Sequence, residues 1–212
     1  MSPRLAPLIL FAALSASIPA AADDPDPPPV EAADEGPPLG LEVPPPVHSV
    51  IGLVGGAAFS GGLSSEVEPG PGYGVLYNLT PARIAGVELA YQGSINNVNT
   101  VTGGQLVTNQ FSGVLRINFV PPQFPFWADL TPFICTGAAW QRVTTLSFIP
   151  GISSVNAFAI PLAGGLEASL GRHFVVGGRF TWNFLINVAR AFNGRSANDW
   201  LATIDLGARF PE

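Results

Sequence analysis

Apolar side chains recur at every second position in "WLATIDLGARF" (200–210). Trp200, Ala202, Ile204, Leu206, Ala208 and Phe210 share one face, and Asp205 and Arg209 lie on the other. A strict period of two describes an extended strand that is apolar on one side only. Seven further stretches, 49–59, 73–79, 84–94, 109–119, 131–142, 158–170 and 174–184, are also strand-like, and no helical period competes with them. In 49–59 the apolar face is assigned to Ile51, Leu53, Ala57 and Phe59, which sets Val50, Gly52, Val54, Gly56 and Ala58 on the opposite face. The facing of 131–142 is ambiguous, since apolar residues stand on both sides.

Eight strands form an even set, and the connectors alternate in character. Those at 80–83, 120–130 and 171–173 are short or marked by proline, whereas those at 61–72, 96–105, 147–153 and 188–198 are longer and more polar. Short turns at one end and long loops at the other are the pattern of an up-and-down barrel that crosses an outer membrane. Strands of about ten residues suit a tilted crossing of the bilayer. The expected fold is therefore all-β, an eight-stranded antiparallel transmembrane barrel. Strand glycines are expected to permit its tight curvature.

The two faces have different chemistry. Phe59, Tyr73, Tyr91, Phe111, Trp182 and Trp200 fall on the apolar face near the long-loop ends, and Phe119, Phe174 and Phe210 near the short-turn ends. Two such groups are what aromatic girdles at the lipid–water boundaries require. An eight-stranded interior is too narrow for that many rings, so the apolar face is expected to meet lipid. The polar face carries Glu88, Glu167 and Asp205 together with Arg116, Arg179 and Arg209. Facing a narrow lumen, three acids and three arginines can neutralise one another, and the six are expected to form a lumenal charge network. Only 11% of the chain is charged, against about 25% in ordinary soluble domains.

The N-terminal region follows other rules. Residues 1–22 combine Arg4, an apolar run from Leu5 to Leu14 and small residues, which is the composition of a signal peptide. Residues 23–47 hold nine prolines, seven acids and no base. Such a segment cannot bury enough apolar surface to fold and is expected to be a disordered periplasmic linker. The barrel domain is placed at 48–212. From residue 48 onward eight acids face eight arginines, a neutral balance that argues against nucleic acid as a partner.

From about Val47 to Phe210 the chain resembles the small eight-stranded outer-membrane proteins of the OmpA/OmpX type. The strand pattern, the loop asymmetry and the last strand, "LATIDLGARF", carry the likeness. The resemblance implies an outer-membrane location with both termini periplasmic, and contact with outer-membrane lipid and lipopolysaccharide. It also implies a lumenal network at Glu88, Arg116, Glu167, Arg179, Asp205 and Arg209, and insertion by the barrel-assembly machinery. That machinery reads a terminal aromatic residue, here Phe210, although Pro211 and Glu212 follow it.

Catalytic signals are sparse. His48 and His173 are the two histidines, and Cys135 is the single cysteine. No metal or cofactor motif stands out, so neither is expected. The function expected is non-enzymatic, either structural or in surface interaction. One alternative is a narrow channel for water, ions or small solutes, with room left by Gly52, Gly56, Ala58 and Gly74. A more distant one is a lipid-modifying enzyme built on His173, Ser169 and Glu167.

Overall fold

The computed structural model describes residues 46–82, 84–99, 102–119, 130–146, 154–186 and 197–211. The expected signal peptide, nearly all of the expected linker and the connectors at 120–129, 147–153 and 187–196 lie outside them. Eight strands follow in order: β1 (Val47–Phe59), β2 (Gly70–Ala82), β3 (Ala85–Asn97), β4 (Gln105–Asn118), β5 (Leu130–Thr145), β6 (Val155–Leu170), β7 (Phe174–Ile186) and β8 (Asp199–Pro211). A 3-10 turn, Gly61–Leu63, follows β1.

Each strand pairs antiparallel with the next, and the sheet closes into a barrel. β8 returns to β1 over its whole length, from Val47 opposite Pro211 to Phe59 opposite Asp199. Closure satisfies every strand on both sides and leaves no sheet edge, the condition for placing strands in a bilayer. Both ends of the described barrel chain therefore lie at the short-turn end. At Gly55 the backbone of β8 comes so close that a Cβ would overlap the Ala202 carbonyl, and at Gly137 one would overlap that of Gly113. These approaches allow a ring of eight strands to curve tightly.

Most strands run further toward the long loops than the alternation indicates. β3 continues to Asn97, β4 starts at Gln105, and β5 reaches Thr145 before β6 resumes at Val155. There polar residues such as Asn97, Gln105, Thr144 and Asn156 enter the outward positions, so the apolar period weakens while the backbone ladder continues.

Side-chain direction alternates as a barrel requires. Large apolar residues stand exposed on the outside along every strand, among them Val75, Leu89, Leu115, Ile134, Leu162, Phe180 and Ile204. Glu88, Arg116, Glu167, Arg179 and Asp205 are buried inside, whereas Arg142, near the long-loop end of β5, is exposed. In β5, Ile134 and Trp140 point out, while Phe133, Cys135, Ala139, Gln141 and Val143 are buried.

β1 faces the opposite way from the expectation. Ile51 and Leu53 are buried at 0% and 1% exposure, whereas Val50 and Val54 are exposed at 45% and 70%. Gly52 and Gly56 are likewise exposed and do not open the lumen. Both faces of this strand are apolar, and its larger side chains are needed inside. Ile51 and Leu53 pack there with Leu76, Ala90 and Val175.

Candidate functional site

The lumen is filled by successive layers. At its centre the carboxylate of Glu88 accepts hydrogen bonds from Arg116 Nη1 (3.0 Å) and from Arg179 Nη1 and Nη2 (2.7 and 3.0 Å). Arg116 also reaches Glu167 (2.9 Å), and Arg179 reaches Asp205 (3.3 Å). Arg209 completes the chain by pairing with Glu167 at 3.1 Å and donating to Ser169 Oγ at 2.7 Å. All six residues expected to form a lumenal network are thus joined in one run of ion pairs, and the charges on it sum to zero.

Neutral groups complete the layer. Arg116 Nε donates to Asn118 Oδ1 at 2.6 Å, and Thr203 Oγ1 donates to Asp205 Oδ1 at 2.7 Å. The Phe133 ring lies beneath both central arginines, 4.0 Å from the Arg116 guanidinium and 4.8 Å from that of Arg179. An aromatic face attracts cations, the more strongly when water is excluded. Apolar clusters flank the charges: Ile51, Leu53, Leu76, Ala90 and Val175 form one, and Val114, Phe133, Cys135 and Ala163 the other.

Toward the long loops a polar layer follows. Asp199 accepts hydrogen bonds from Asn183 Nδ2 (2.6 Å) and from Gln141 Nε2, and Gln110 Nε2 donates to Asn183 Oδ1 at 3.1 Å. Beyond it, Phe59, Leu63, Val67, Val98, Leu106, Val143, Ala157 and Ala197 form an apolar cap. Leu63 and Val67 belong to the β1–β2 loop, which is stitched over the end of the barrel. Asn96 Nδ2 donates to the Ala57 and Glu68 carbonyls, and Val67 bridges Val98.

Phe59 was expected at the lipid interface, and it lies instead in this cap at 4% exposure. It stands at the end of β1, where the loop folds inward and offers it an apolar partner in Leu63. The other expected aromatics face outward. Tyr91 and Phe111 are exposed, while Tyr73, Trp182 and Trp200 are half-buried. Tyr91, Phe111, Trp140 and Phe158 stand opposite one another on successive strands, a continuous aromatic row. Trp140 joins it from the strand whose facing was ambiguous. Phe210 points outward at the seam, opposite His48.

Ser169 and Glu167 are both engaged by Arg209, and His173 stands exposed in the β6–β7 turn. The hydroxyl is thus committed to an arginine in place of a base. Among the described residues, no cluster of three His, Cys, Asp or Glu could hold a metal ion. The residues that sequence reasoning missed are Asp199, Gln141 and Phe133. Asp199 is in phase with Asp205 on β8, so continuing the alternation one residue beyond Trp200 finds it.

A closed ring of eight antiparallel strands, apolar outside and ion-paired within, is the geometry to set against known structures. The fold is that of the small eight-stranded outer-membrane barrels. Neisserial surface protein A is similar over 78% of this chain and 96% of its own, with a TM-score of 0.56 and 10% identity. Ail, the attachment invasion locus protein of Yersinia pestis, is similar over 79% and 99%, with a TM-score of 0.51 and 13% identity. No family model and no curated sequence matches the chain. Against these outer-membrane barrels the chain keeps the architecture while sharing few residues.

Proposed function

We propose that the protein is an integral outer-membrane barrel that does not conduct, with a structural or surface-interaction role and no enzymatic activity. The observation that carries this reading is the filled lumen. A neutral ion-pair layer, a polar layer and an apolar cap lie in series along the barrel, and each would have to open for a solute to pass. Breaking the first exposes buried charges, at about 3–5 kcal/mol for a partner lost.

The outward apolar residues support lipid as the surrounding medium, because an exposed apolar surface of this extent marks a membrane or partner contact. In this reading both barrel ends of the chain are periplasmic and the long loops face outward, among the lipopolysaccharide of the outer leaflet. The barrel-assembly machinery inserts the chain, with Phe210 as its cue.

The test is conductance of the purified protein in planar bilayers, with fractionation of cells that express it. The expected result is a bilayer indistinguishable from a protein-free one, and recovery in the outer membrane as a heat-modifiable band. A steady conductance of the unaltered protein would overturn the non-conducting reading in favour of a narrow channel.

A further inference from the structure

Among the described residues, the lumen holds one more acid than the ion network uses. Glu88, Glu167 and Asp205 are matched by Arg116, Arg179 and Arg209, whereas Asp199, 8% exposed, forms no ion pair with any described residue. Among the described residues its carboxylate receives only neutral amide N–H groups, from Asn183 and Gln141. These bonds favour the charged form but do not cancel the charge, and an uncompensated charge away from water is costly.

A cavity opens beside it, with about 20 Å³ of space for a water-sized occupant, and Asp199, Thr108, Ser94 and Gln92 are among its walls. That is room for one small guest. Thr108 Oγ1 is buried on this wall with no hydrogen-bond partner. The site thus offers one negative charge and one unused neutral oxygen. A water molecule would fill the space and leave the charge. A divalent ion finds too few carboxylates, since hard divalent sites draw on six or more oxygens with several acids among them.

We propose that this cavity binds a single monovalent cation of the alkali class, Na⁺ or K⁺. Asp199 neutralises it, and Thr108 Oγ1 is a direct ligand. The site goes beyond the non-conducting reading and does not depend on it. One bound cation brings the charge of the described lumenal residues to zero and ties β4 to β8 beneath the apolar cap.

The experiment uses Tl⁺ as an anomalous probe in crystals of the barrel. Alongside it, urea midpoints of the folded protein are compared in chloride salts of Na⁺, K⁺ and N-methyl-D-glucamine at equal ionic strength. The expected results are an anomalous peak between Asp199 and Thr108 and a higher midpoint in Na⁺ or K⁺ than in the bulky organic cation. Asp199→Asn should remove both the peak and the difference. Thr108→Val, which keeps the carboxylate and the side-chain shape, should weaken Tl⁺ occupancy while the protein stays heat-modifiable. Absence of a Tl⁺ peak in the unaltered protein, or a midpoint indifferent to the cation, overturns the proposal and leaves a water-filled cavity.

Discussion

Replacing Glu88 with Gln keeps the volume of the side chain and removes one charge from the centre of the barrel. Glu88 accepts three N–H bonds from two arginines, and its side chain is 1% exposed. With Gln there, three arginines face two acids in the network. Arg116 retains Glu167, but Arg179 keeps only the longer contact to Asp205 at 3.3 Å. Removing one partner of a buried pair costs about 3–5 kcal/mol. The Arg209 side chain is 27% exposed and makes one bridge. Solvent screens it, so Arg209→Gln should cost nearer ~1 kcal/mol. Equilibrium urea unfolding in lipid vesicles, followed by tryptophan fluorescence, measures both. The midpoint should fall while the slope stays constant, as for a change in stability alone. Adding Arg179→Met to Glu88→Gln restores the charge balance, and the double variant should lose less than the sum of the singles, by about 0.5–3 kcal/mol. If Glu88→Gln and Arg209→Gln unfold at the same midpoint, or the double variant is additive, the central pairs are not what holds the lumen.

Val54 lies near the middle of β1 and is 70% exposed. Val54→Arg should cost about 2–4 kcal/mol in a bilayer, and unchanged stability in vesicles would contradict a lipid-facing position. Phe59→Ala should destabilise by about 3–5 kcal/mol through the cavity left in the apolar cap. Bilayers containing it should still not conduct, because the ion layer remains; appearance of conductance would make the cap the sole seal. Phe210→Asp should reduce the heat-modifiable protein in outer-membrane fractions, and yields equal to the unaltered chain would remove Phe210 as an assembly cue. Arg172→Ala, an exposed turn substitution, should leave the urea midpoint within about 0.5 kcal/mol of the original.

The strands were most readable where the two faces differ in polarity. β7 and β8 alternate Phe180, Trp182, Ile204 and Leu206 against Arg179, Thr181, Thr203 and Asp205, and the structure places them so. β1 offers no such contrast, since Val50 and Val54 are as apolar as Ile51 and Leu53. A rule that sends the bulkier apolar face to lipid therefore reverses it. β5 has the same ambiguity, with Ile134 beside Phe133 and Cys135. For the site, Glu88, Arg116 and Glu167 were legible as lumenal because a charge on an otherwise apolar strand has one tolerable direction.

Alternation in the strands, together with the alternating connectors, indicated eight strands, an up-and-down barrel and the six charged lumenal residues, since a charge on a strand with one apolar face has one tolerable direction. The partners within that set depend on how eight strands are staggered around the ring. Arg116 meets Glu88 across the neighbouring strand and Glu167 two strands away, and no spacing along the chain encodes the second distance. The inward turn of Phe59 likewise depends on the loop that supplies Leu63 and Val67. The isolation of Asp199 also became visible only once the arginines had found other acids. Each of these is a contact between distant segments, and its energy exists only after the barrel has closed.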